Sequence, residues 1–156
     1  MEIGLALAAL GGAIAIILGG IGSAIGIALA GQASSGVMSE DPEKFGNLLL
    51  MVALPSTQGI YGFLSAFLII LKVGLVGEVV MPNLHQGLQI LIAALPVAFT
   101  GLVSGIHQGK VCASGVYMVA KQPKDLMKPV VMAVLVETYA VLGLLITIIL
   151  LNGIQL

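Results

Sequence analysis

The sequence predicts an all-α integral membrane protein: four transmembrane helices, built as two tandemly duplicated helical hairpins and assembling into a homo-oligomeric ring. Three observations predict this. Hydrophobic residues make up 59% of the 156 positions and charged residues only 8%, with a mean hydropathy of +1.16, too little charge to clothe a water-soluble domain of this size. Four apolar stretches each reach the roughly 20 residues that cross a hydrocarbon core as helix. The chain also matches itself at a constant offset.

The apolar stretches run from Ile3 to Ala30, Phe45 to Leu71, Leu84 to Val119 and Pro129 to Leu151. The N-terminus, Met1-Glu2-Ile3, lacks the basic region of a cleaved signal peptide, so the first stretch is expected to be a retained span. Two polar turns, each around a proline, separate spans one from two (Ser39 to Lys44) and three from four (Lys121 to Asp125). An even number of spans places both on one side. Together with Lys110 and Lys128 they hold five of the six lysines, and the positive-inside tendency puts them in the cytoplasm, with both termini outside a plasma membrane.

At an offset of 81 residues, Leu7 pairs with Leu88, Ala13 with Ala94, Gly20 with Gly101, Ser23 with Ser104, Pro42 with Pro123, Thr57 with Thr138 and Gly62 with Gly143. The aligned proline turns mark a duplicated hairpin, residues 1–75 and 76–156, in parallel orientation. Gly101, Gly105, Gly109 and Ala113 leave one face of span three nearly bare, with Gly20, Ala24 and Ala28 at matching places in span one. Such stripes let helices approach closely in lipid, and two of them suggest a tightly wound ring of copies.

Glu137 is the one acid deep inside a span. An ionised carboxylate there costs roughly several kcal/mol unless it is paired, so an intramembrane acid marks a functional site. In span two, Leu54, Thr57, Gln58 and Tyr61 follow i, i+3, i+4, i+7 and form a single stripe. Thr57 lies 13 residues past Lys44, Gln108 lies 13 before Lys121 and Glu137 lies 13 after Lys124, which puts all three about 20 Å from those lysines. One carboxylate, two amide oxygens and a hydroxyl form a hard cage with one negative charge, suited to a monovalent cation. Pro55 removes a backbone donor within the stripe and frees a carbonyl, that of Met51 by i−4 counting. His107 adjoins Gln108, but helical geometry turns it about 100° away. Lys110 is expected to snorkel to the headgroups.

Other classes find little support. With charges nearly balanced at −1, no nucleic-acid partner is indicated. Cys112 stands alone, without metal or redox spacing, and is expected to pack inertly. The sequence carries no phosphate-binding loop, so the chain is not expected to be an enzyme.

Over nearly its whole length the sequence resembles the duplicated proteolipid of V-type rotary ATPases, particularly the bacterial sodium-pumping kind. The residues that carry this are Leu54-Pro55-Ser56-Thr57-Gln58-Gly59-Ile60-Tyr61-Gly62-Phe63, Ser104-Gly105-Ile106-His107-Gln108-Gly109-Lys110 and Val136-Glu137-Thr138-Tyr139-Ala140. The resemblance implies a ring that turns against a stator membrane protein bearing an Arg, driven through a central stalk. It implies Na+ ligands at Glu137, Thr57, Gln58, Gln108 and the Leu54 carbonyl in place of Met51, with Tyr61 hydrogen-bonded to Glu137 and no organic cofactor. His107 departs from the family, where a small residue is more usual. Position 137 pairs with Ser56, so the first hairpin lacks a carboxylate at the matching intramembrane position and one ion per chain follows. Two alternatives remain: a proton-carrying ring of the same fold, and a small exporter or channel with a central Glu.

Overall fold

A chain this apolar has no water to satisfy its backbone, and helices pair every N–H and C=O within the segment. The computed structural model describes residues 3–156 as helices joined by short turns; Met1 and Glu2, where the expected retained N-terminus begins, lie outside the described residues. The elements are α1 (Ile3–Glu40), α2 (Phe45–Ala53), α3 (Thr57–Lys72), α4 (Leu84–Lys121) and α5 (Met127–Gly153), with 3-10 turns at Pro42–Lys44, Leu54–Ser56 and Pro123–Asp125. Taken across the turns, four helical stretches among the described residues are long and apolar enough to cross a membrane: Ile3–Glu40, Pro42–Lys72, Leu84–Lys121 and Pro123–Gly153.

The first span overruns its expected end at Ala30. Although Gln32, Ser34 and Ser35 lower the hydropathy, Ala30 and Ala33 stay packed in a core with Leu48, Met51, Cys112 and Val116, and the helix persists to Glu40. Ser39 is therefore helical rather than part of the turn. In the second span the missing N–H of Pro55 separates α2 from α3 by the Leu54–Ser56 turn.

The two proline turns sit side by side. Lys44 pairs with Asp41 at 3.2 Å and donates to the carbonyl of Ala120 at 2.7 Å, joining the first turn to the end of α4. At the other end the chain reverses through Gly74, whose φ of +68° suits glycine. Asn83 then starts α4 with a capping box to Gln86.

The glycine stripe of span three is used differently from expectation. Gly105 and Gly109 face α1 of the same chain: a methyl group on Gly105 would lie 2.6 Å from the carbonyl carbon of Gly22, and one on Gly109 would collide with Gly26. Backbone meets backbone there, so this stripe is occupied within one chain and does not itself argue for a ring. The matching stripe of α1 is open: nothing lies within 4 Å of a methyl group placed on Gly20, and Ala24 and Ala28 are exposed.

Pro96 interrupts the hydrogen bonding inside α4. The N–H of the next residue, Val97, donates to the buried hydroxyl of Thr147 on α5 at 3.3 Å, which ties α4 to α5 on the side of the site away from the proline turns.

Candidate ion-binding site

Glu137 lies on the buried face of α5 with Ala133, Ala140 and Leu144, spaced by single helical turns. Opposite it, α4 buries Ser104, Gln108 and Cys112 in the same rhythm. The third wall is the start of α3, where the Leu54–Ser56 turn delivers Thr57, Gln58 and Tyr61. Gln58 and Gln108 are wholly buried and Glu137 is 9% exposed.

The side chains placed at one depth by counting are linked, through Gln58, in one chain of hydrogen bonds. Tyr61 donates to Glu137 Oε1 at 2.6 Å, and Gln108 Nε2 donates to Glu137 Oε2 at 3.1 Å and to the Ala133 carbonyl at 3.2 Å. Gln58 Nε2 donates to Gln108 Oε1 at 2.7 Å. The single proton of the Thr57 hydroxyl is shared between Gln58 Oε1 at 3.4 Å and the Leu54 carbonyl at 3.3 Å, which also accepts the Thr57 N–H. Both carboxylate oxygens thus have a donor, which lowers the cost of holding charge in a low-dielectric interior. The carbonyl facing Thr57 is that of Leu54; the side chain of Met51, whose carbonyl i−4 counting names, is buried in the same core as Cys112.

A carboxamide offers both a donor and an acceptor. Gln108 turns its nitrogen towards Glu137, where a carboxylate oxygen accepts. Rotating an amide by half a turn exchanges nitrogen for oxygen in place, so the same side chain can serve a bound cation. Gln58 already keeps its oxygen beside the Thr57 hydroxyl.

Sequence reasoning gave Ser104 no role. Its hydroxyl accepts from Gln58 at 3.1 Å and donates to the Val136 carbonyl at 3.0 Å, fixing the glutamine and the turn before Glu137 together. Its position one turn before Gln108 on the same face was the available signal. His107 is exposed, turned from Glu137, and lines a cleft between α4 and α5 with Val103, Val136 and Tyr139. Lys110 is also exposed, one residue beyond Gly109.

A family model describing the C subunit of ATP synthase matches the chain twice, over residues 10–69 and 91–150. The chain belongs to the ATP synthase C family. The matches begin and end 81 residues apart, the register in which the sequence aligns with itself, and two such repeats in one chain fit a duplicated proteolipid of a ring. The chain is 47% identical, over 92% of its length, to the V-type sodium ATPase subunit K of Enterococcus hirae, of which it covers 89%. It is 40% identical, over 96% of its length, to the A-type ATP synthase subunit K of Methanocaldococcus jannaschii, of which it covers 64%.

Proposed function

We propose that this member of the ATP synthase C family is the rotor-ring proteolipid of a V-type ATPase and carries Na+ across the membrane at Glu137. The observation that supports it most is the meeting of one buried carboxylate with Tyr61, Gln58, Gln108 and Thr57 from three helices, in a chain 47% identical to a sodium ATPase subunit. Glu137, Gln58, Gln108, Thr57 and the Leu54 carbonyl hold the ion; Tyr61 closes the site. Residues 1–75 and 76–156 are the two copies, and only the second has a carboxylate at the intramembrane position, where the first has Ser56.

Occupancy gates rotation. With Na+ bound, Glu137 is neutralised and the protein can face lipid; empty and charged, it stays beside a cationic stator residue, an Arg in a separate membrane protein of the complex. Moving one charge against 100 mV takes about 2.3 kcal/mol, which a partner must supply through the central stalk, since the proteolipid itself performs no catalysis. The proline turns face the cytoplasm and contact that stalk; both termini face the outside of the plasma membrane. A proton-carrying ring of the same fold is the second reading, in which Glu137 takes up a proton in place of Na+.

Glu137→Gln tests the assignment. The substitution is nearly isosteric and removes the charge, so the ring should assemble while coupled ion transport in reconstituted vesicles is abolished. Transport at the wild-type rate would remove Glu137 as the carrier.

A further inference from the structure

Two serines that occupy the same place in the duplicated hairpins, Ser23 and Ser104, bond to consecutive residues at the start of α3. Ser23 on α1 accepts the backbone N–H of Gly59 at 2.8 Å. Ser104 on α4 accepts from the side chain of the preceding residue, Gln58, at 3.1 Å. The first serine holds backbone. The second holds a carboxamide, which has a donor end and an acceptor end, so its partner selects which end faces the site.

The direction of the Gln58 amide follows from the protons available. A backbone carbonyl can only accept, so the hydroxyl proton of Ser104 is committed to Val136 at 3.0 Å, and only lone pairs of its oxygen remain for Gln58. An amide oxygen turned that way would meet oxygen. Gln58 therefore gives Ser104 its nitrogen, whose second proton goes to Gln108 Oε1 at 2.7 Å, and its own oxygen is left on the side of Thr57. The Ala133 carbonyl acts in the same way on Gln108, whose nitrogen it shares with Glu137. Gln58 and Ser104 are 0% and 4% exposed, so water does not stand in for a missing partner.

We propose that Ser104 is a positioning residue for cation choice: by holding the Gln58 nitrogen it aims the Gln58 oxygen into the site and favours sodium over a proton at Glu137. The inference rests on the sodium reading above. On that reading a sodium ion takes the Gln58 oxygen as a ligand, whereas a proton on Glu137 takes none from Gln58. Without the Ser104 hydroxyl, Gln58 loses one of its two acceptors, and the flipped amide, with nitrogen on the side of Thr57, competes with the orientation that binds sodium.

Carbodiimide labelling of Glu137 in the purified ring measures both ions. Its pH profile without sodium reports proton uptake, and the sodium concentration that halves labelling reports cation affinity. Ser104→Ala should raise that sodium concentration about tenfold and leave the pH profile where it is, since Tyr61 still bonds Glu137. Ser104→Thr keeps the hydroxyl, and its methyl group can enter the cleft that Ser104 lines, so it should restore the wild-type value. A merely structural serine would shift both measures together, and that result would overturn the inference. So would unchanged sodium protection in Ser104→Ala rings when the wild type is protected, which leaves the sodium reading standing. Wild-type rings that sodium does not protect would remove the sodium reading and this inference with it. Where Ser104→Ala prevents assembly, Ser104→Cys takes its place: it keeps the shape with a weaker acceptor, and the same outcomes decide.

Discussion

Tyr61 on α3 donates its hydroxyl to Glu137 on α5 across 2.6 Å, linking the two hairpins at the carboxylate itself. A hydrogen bond to a charged group contributes about 1.5–3 kcal/mol. Tyr61→Phe keeps the ring and removes that donor, so sodium affinity should fall roughly tenfold or more while the oligomer assembles normally. Protection of Glu137 by sodium against a carboxyl-directed carbodiimide measures it; unchanged protection would reduce Tyr61 to a packing residue.

Close approach of α1 and α4 depends on residues without side chains. A methyl group on Gly109 would meet the backbone of Gly26, which no rotamer change can relieve. Gly109→Ala should therefore destabilise the fold at the upper end of the about 1–3 kcal/mol typical of overpacking. Gly46→Ala, into open space, should be neutral. The yield of intact ring after heating in detergent distinguishes them, and equal yields would contradict the backbone contact.

The cytoplasmic side proposed for the two proline turns rests on the lysines near them. Cysteines at Ser39 and Gln122, in a Cys112→Ala background, should react with an impermeant thiol reagent from the cytoplasmic side only. Reaction of the two from opposite sides would break the four-span topology.

The spans and the level of the site were legible because both follow from counting. Hydropathy and length give helices, and a fixed rise per residue brings Thr57, Gln108 and Glu137 to one depth. Facing directions were not legible. Gly105 and Gly109 suggested close packing within a ring of copies, yet they meet Gly22 and Gly26 of the same chain, because a bare face does not say which neighbour covers it. The extension of α1 to Glu40 was hidden for a related reason: hydropathy reports lipid contact, and Ala33 is held by Leu48 and Cys112 instead. Ser104 escaped notice because a serine in a helix usually bonds its own backbone, whereas this one bridges Gln58 and Val136.

The central claim is that Glu137 and its neighbours hold a dehydrated sodium ion. It is tested most directly by radioactive sodium binding to the purified ring across a range of pH. A carboxylate must lose its proton to bind the cation, so protons compete with sodium and affinity should fall as pH drops. Replacing Gln58 and Gln108 with Leu should depress sodium binding severely at every pH, because no water readily substitutes for a lost ligand at that depth. Saturable binding of one sodium per chain, lost in those variants, is the result the account predicts. Absence of sodium binding at alkaline pH would contradict it and leave Glu137 as a proton carrier within a hydrogen-bond network.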